Sequence, residues 1–379
     1  MSGRNAAGRR DAASGRRRIR RAAAAGLLAV VAVLLGAGLL PGPAAPAWAH
    51  GGDAPDGTNY RTAVTAVRPA LPGVTVRAVE AGARLELHNR SGQTVEILGY
   101  QGEPYLEVRP DGVYENVRSP ATYLNATLSG GVPLPADASP AAAPQWRRIS
   151  DQPVTRWHDH RAHWMSDAPP PQVRAAPGRE HRIRDWQVPL RVGLDPAHVH
   201  GTLDWVPPPA VGAWWAYTLV GAVVVALLGF ASPGRVGRAA TAGAAGVAGL
   251  ATLAYAVARE LDAGATTAGA VAVGLLGTQL WAVLTGLGAL AAVGYAALGR
   301  PAADFALALT GASVALFAGV ANAAVFGRGV APVPGSATLA RVAVATVIAA
   351  GVGAAVSAGL RMRAAAAAEA AATDAPPAG

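Results

Sequence analysis

The stretch Pro207-Pro208-Pro209-Ala210-Val211-Gly212-Ala213-Trp214-Trp215 divides the chain into two unlike halves. Three successive prolines make a stiff extended spacer, because each ring fixes φ and removes a backbone donor. The paired tryptophans open a long apolar run, and indole rings favour the boundary between water and lipid. Upstream of the prolines apolar residues alternate with polar ones, and downstream they run on almost uninterrupted. The sequence therefore predicts an exported all-β domain, an immunoglobulin-like or related sandwich, followed by an all-α bundle of transmembrane helices.

Downstream, apolar spans are expected at about 210–231, 239–258, 265–299, 303–326 and 338–360. The third is longer than the roughly 20 residues that cross a bilayer upright and too short for two crossings with a turn. It reads as one helix that overshoots or breaks near Gly286-Leu287-Gly288. Five crossings put Arg235, Arg238, Arg300, Arg361 and Arg363 on one side, and leave Arg328 and Arg259, balanced by Glu260 and Asp262, on the other. The positive-inside rule then makes this a multi-pass plasma-membrane protein with its N-terminal domain extracellular. Within the spans the polar candidates are Gln279 and Asn322, with Asp304 and Arg341 near helix starts. Asp304 in a first turn complements the helix dipole. Gly351, Ala355 and Gly359 at four-residue spacing permit close helix packing, and residues 361–379 read as a disordered cytoplasmic tail.

Upstream, residues 50–209 carry the period-two pattern of a β-sandwich. Leu85 and Leu87 alternate with Glu86 and His88, Asn89-Arg90-Ser91-Gly92 supplies turn residues, and Val95 and Ile97 follow in a β-meander. Arg109-Pro110-Asp111-Gly112 reads as the tight turn of a hairpin between Tyr105–Val108 and Val113–Glu115. Further strands are expected at Trp146–Ile149, Arg182–Val192 and His198–Val206. Cysteine is absent, which excludes disulfides, thiolate metal sites and a cysteine nucleophile.

Residues 1–49 read as an export signal: Arg16-Arg17-Arg18-Ile19-Arg20-Arg21, an apolar stretch from Ala22 to Leu40, and a small-residue cleavage pattern at Ala47-Trp48-Ala49. The formal net charge of +9 divides into +7 for residues 1–49, −1 for 50–209 and +3 for 210–379. The basic excess thus belongs to targeting and membrane topology, and no nucleic-acid partner is expected.

All eight histidines lie in the domain before the spans, and three of them fall in Trp157-His158-Asp159-His160-Arg161-Ala162-His163-Trp164-Met165. In a strand, residues two apart share a face, so His158 with His160, and His198 with His200, make paired imidazoles of the kind that binds copper or zinc. In a helix, His160 and His163 share a face instead. Cleavage after Ala49 would give His50 a free amine beside its imidazole, a bidentate donor for copper. The candidate metal ligands are therefore His158, His160, His163 and His50. The competing reading is a hydrogen-bonded polar turn, His158 to Arg161, pinned by Trp157 and Trp164 and holding no ligand. For His198 and His200 the competing reading is the solvated face of a strand whose other face is Val199, Leu203 and Trp205.

The segment Ala47-Trp48-Ala49-His50 with a distant histidine cluster resembles exported copper-binding proteins of the CopC type and copper monooxygenases, in which a mature N-terminal histidine enters a histidine brace. A broader resemblance is to uncharacterised actinobacterial membrane proteins with an exported β-domain and C-terminal helices. It is carried by Gly57–Thr62, Leu98–Leu106 and Trp157–Met165, and it implies an architecture and no activity. No nucleophile elbow, Walker loop or dinucleotide glycine pattern stands between a strand and a helix, so hydrolase and nucleotide-enzyme readings have no foothold. Three functions remain open on sequence: a membrane-anchored extracytoplasmic binding protein for copper or zinc, an envelope-assembly protein whose β-domain binds another membrane or envelope protein without metal, or an enzyme with no assignable reaction.

Overall fold

The computed structural model describes residues 57–232 and 234–374. His50 and the expected export signal lie outside the described residues. Among the described residues, ten strands form two antiparallel sheets packed face to face. The larger takes β1 (Tyr60–Arg68), β10 (Asp195–Trp205), β9 (His181–Val192), β4 (Val95–Leu98), β5 (Pro104–Arg109), β6 (Gly112–Asn116) and β7 (Trp146–Ser150), in that order. The smaller takes β2 (Val74–Val79), β3 (Arg84–Asn89) and β8 (Val154–Trp157). Leu85, Leu87, Val95, Ile97, Leu106, Val108, Val188, Leu190, Val199 and Leu203 fill the space between them, every second residue of their strands.

The chain does not form the meander expected from Leu85 through Ile97. Strands β3 and β4 are not meander neighbours, since β3 pairs with β2 and β8 while β4 pairs with β5 and β9. The turn at 89–92 carries the chain from one sheet to the other. Asn89 makes that corner: its amide donates to the carbonyls of Gln93 and Val108, both at 2.6 Å, and its Oδ1 accepts from Ser91. The meander itself begins at β4 and runs through β7.

Among the described residues, five helices are long and apolar enough to cross a membrane. They are α3 (Val211–Ala231), α4 (Gly234–Asp262), α6 (Leu280–Ala297), α7 (Ala303–Val314, continuing through a π turn and a 3-10 stretch to Gly327) and α8 (Ala337–Asp374). Three short helices complete the described residues: α1 (Pro120–Leu124), α2 (Pro171–Ala175) and α5 (Ala268–Gly277). The break in the third apolar stretch falls at Thr278-Gln279 between α5 and α6, where the Gln279 N–H reaches back five residues to the Gly274 carbonyl. Gly286 instead serves packing: a Cβ on Gly249 would stand 2.8 Å from the Gly286 carbonyl oxygen. Helix α8 extends to Asp374, through most of the segment that reads as a disordered tail.

Helix α8 is the bundle's centre, packing on α3, α4 and α7. At its crossing with α7 a Cβ on Gly351 would meet the Gly311 carbonyl at 2.8 Å, and one on Gly311 would meet the Gly351 carbonyl at 2.7 Å. Small residues let these backbones touch, as the spacing of Gly351 and Ala355 predicts. Gly351→Leu should force the helices apart and cost about 1–3 kcal/mol, read as earlier loss of helical signal in an SDS titration of the purified protein. An unchanged midpoint would show that the crossing carries no packing energy.

Trp214 and Trp215 enclose Phe326, one ring stacked at 5.9 Å and the other edge-on at 5.3 Å, so the pair grips the end of the α7 segment as well as facing outward. Asp304, expected to serve only the helix dipole, also receives Arg238 at 3.4 Å and Arg361 at 3.3 Å, tying three helices together. Arg341 donates to the carbonyls of Val325, Arg328 and Gly329, at and just beyond the end of the α7 segment.

Candidate functional site

Strand β8 ends at Trp157, and the histidine cluster that follows is a coil opening into a single 3-10 turn, His160–Ala162. Its first fastening is Asp159, with no exposed surface. Asp159 accepts Trp157 Nε1 at 3.0 Å, the Arg161 backbone N–H at 3.1 Å, and Arg161 Nε and Nη2 both at 2.8 Å in a two-pronged pair. Arg161 also donates to the carbonyls of Leu98 and Gly99 and lies 4.8 Å over the Tyr100 ring. A local turn is thereby locked to the loop between β4 and β5.

Because the strand stops at Trp157, His158 and His160 do not project side by side. His158 is buried: its Nδ1 stands 2.8 Å from the Ala83 carbonyl and its Nε2 stands 3.3 Å from Arg84 Nε. A carbonyl can only accept and a guanidinium can only donate, so Nδ1 carries the proton and both nitrogens are committed. His160 turns the other way, with Nε2 3.3 Å from the Thr127 carbonyl. His163 keeps a buried Nε2 without a hydrogen-bond partner, and burial pushes its pKa down to about 4, against the opposing pull of Asp159. Among the described residues no three histidine or carboxylate groups gather as a metal site. The structure thus does not unite His158, His160 and His163. It does set His198 beside His200, ring centres 6.2 Å apart, on the half-exposed face of β10 opposite Val199, Leu203 and Trp205.

A titration of the full chain with Cu²⁺ and Zn²⁺ is therefore expected to show no stoichiometric site that depends on the cluster. His160→Ala should leave the isotherms unchanged, and loss of a one-to-one site in that variant would restore the metal reading.

Beside the cluster lies a cleft of about 390 Å³ at the open side of the sandwich, between the edge strands β7 and β8 and under α1. Tyr105, Leu106, Asn125, Trp157 and His158 form its interior, and Arg147 and Arg156 stand in its lining. Sequence reasoning missed it because β7, β8 and α1 are brought together only by the crossover between sheets. Asn125 has no signal of its own in a Pro/Ala-rich region.

The outer face of the smaller sheet makes the second polar centre. The register aligns Arg77, Glu86 and Arg156 across three strands. Glu86, without exposed surface, receives Arg77 Nε at 2.7 Å, Arg156 Nε at 2.6 Å and His88 Nε2 at 2.8 Å. Burial pushes its carboxyl up, but the bonds from His88, Arg156 and Arg77 outweigh that and hold it below the ordinary carboxylate range.

This face is seated on the loop after α4. Arg77 Nη2 donates to the Gly264 carbonyl at 2.9 Å, and Asp262 accepts the Ala81 N–H at 2.7 Å on its carboxylate and the Glu80 N–H at 3.0 Å on its carbonyl. Gly264 has φ +92°, and a Cβ there would stand 2.7 Å from Glu86 Oε2 and 2.8 Å from Arg156 Nη2. Only glycine fits on both counts. A second seat pairs Thr58 with Val330 through two backbone bonds of 3.0 and 2.8 Å, and Gly329 N–H donates to Asn59 Oδ1 at 2.8 Å. Comparison with protein-family models, with curated proteins and with solved structures finds no match to this chain.

Proposed function

We propose that this chain is a multi-pass envelope-assembly protein whose β-sandwich, on the outer side of the plasma membrane, is held rigidly on a five-helix anchor and presents a binding surface to another envelope component. The observation that carries this reading is the double seat of the sheet domain, on Asp262 and Gly264 after α4 and on Gly329 and Val330 after α7. A domain that merely hung from its proline spacer would need neither. The outward orientation is supported by the arginines gathered at the opposite ends of the helices, among them Arg235, Arg238, Arg361 and Arg363. The histidine cluster acts in this reading as a brace between the sandwich's loops.

The cysteine-free chain makes the test direct. Thr58 and Val330 are a hydrogen-bonded antiparallel pair, for which backbone spacing suits a disulfide. The double variant Thr58→Cys with Val330→Cys should close intramolecularly in membranes on mild oxidation. Gln93→Cys should react with a membrane-impermeant maleimide in intact cells, and Arg363→Cys only after permeabilisation. The reverse labelling pattern, or a pair that stays reduced, removes the proposal.

A further inference from the structure

We propose that the cleft between β7 and β8 binds a small organic acid that carries a second oxygen acceptor, its carboxylate at Arg147 and its carbonyl or hydroxyl oxygen on Asn125. A cleft of about 390 Å³ is the size of small-ligand sites. Asn125 is 4% exposed, and its Nδ2 is buried with no hydrogen-bond partner. Burying an amide donor unpaired is costly, and native structures avoid it unless something else supplies the acceptor.

The direction of that amide is fixed by the histidine cluster. The His160 backbone N–H donates to the Tyr100 hydroxyl oxygen at 3.0 Å. Burial pushes the Tyr100 hydroxyl up, so it keeps its proton. That proton goes to Asn125 Oδ1, the other short contact of the hydroxyl. Asn125 must therefore present its oxygen to Tyr100 and its NH₂ away from it. Tyr100 is held in turn beneath Arg161, which Asp159 clamps. The stretch from Trp157 to Arg161 thus aims one donor while Trp157 and His158 themselves line the cleft.

The remaining surroundings select the rest of the ligand. Leu106, Trp157 and the ring of Tyr105, whose hydroxyl stands near Asn125, offer wall for a short carbon body. Arg147 is 64% exposed and bonded on one side to Glu115, whereas the Arg156 guanidinium turns to the other face of β8, toward Glu86 and Gly264. A guanidinium has five N–H donors, so Arg147 retains donors for a carboxylate.

The probes are 4-oxopentanoate, pentanoate, which lacks the ketone, and 2-pentanone, which lacks the charge. They are titrated calorimetrically into the full chain in nanodiscs. Expected is saturable one-to-one binding of 4-oxopentanoate, with each of the other two at least about tenfold weaker, the discrimination that one unpaired buried donor or one lost ion pair produces. Asn125→Ala should bind 4-oxopentanoate and pentanoate alike. Arg147→Gln, a surface change that leaves the fold alone, should erase the difference between 4-oxopentanoate and 2-pentanone. Absence of saturable 4-oxopentanoate binding overturns the proposal, as does a preference that survives both substitutions or, should Asn125→Ala not fold, one that survives Arg147→Gln.

Discussion

Glu86→Gln is expected to lower the stability of the β-domain by about 2–3 kcal/mol, which for a domain of this size moves its melting midpoint by roughly 5–10 °C. The carboxylate is without exposed surface and serves three donors, so removing its charge leaves Arg77, Arg156 and His88 facing a neutral group. The figure sits below the range for a fully buried pair because Arg77 and Arg156 remain 43% and 38% exposed and water screens them. The pH dependence identifies the cause. A carboxyl whose folded pKa is depressed binds its proton more readily in the unfolded chain, so it stabilises the fold above the unfolded value near 4.3. That contribution disappears as pH falls through the folded pKa. Wild type should therefore lose stability below about pH 4.5 more steeply than Glu86→Gln, and the two curves should converge in acid. Parallel curves would mean that Glu86 contributes shape alone. Because Gly264 rests on the same carboxylate, the variant should also weaken the seat on α4.

The contrast between what sequence disclosed and what it hid follows from the range of the interactions involved. Alternation in Leu85–Leu87 and Val95–Ile97, and the unbroken apolar runs after Pro209, are local signals, and both the sheets and the five long helices follow them. Sheet membership is not local. Nothing in Asn89-Arg90-Ser91-Gly92 distinguishes a hairpin from a crossover, since the choice rests on Asn89 finding the Val108 carbonyl nineteen residues away. The same limit applies to the histidines. Period-two spacing pairs His198 with His200 because β10 continues through them, and it fails for His158 and His160 because β8 ends one residue earlier. Asp262 reads as balanced loop charge and Arg341 as a polar residue near a helix start, whereas each holds backbone groups of another segment. Gly264 carried no signal beyond that of an ordinary loop glycine.

Asp159→Ala should be the most damaging single change in the cluster, at about 3–5 kcal/mol, because it strands a charge and a donor together. Arg161, its side chain 19% exposed, loses both prongs of its pair, and Trp157 Nε1 loses its acceptor inside the core. The double variant Asp159→Ala with Arg161→Leu should recover part of the loss, since removing both partners leaves no uncompensated charge. Thermal unfolding of wild type, both single variants and the double variant then measures the coupling between the two side chains. A coupling near zero would sink the brace interpretation. The same set separates bracing from coordination, because a stretch built to hold a metal would show these differences only in the loaded protein, while a brace shows them after exhaustive chelation. Asp159 also stands three contacts behind the donor in the cleft, through Arg161 and Tyr100 to Asn125. Its loss should therefore lower the affinity for 4-oxopentanoate at temperatures where the variant is still folded, through a side chain that never meets the ligand.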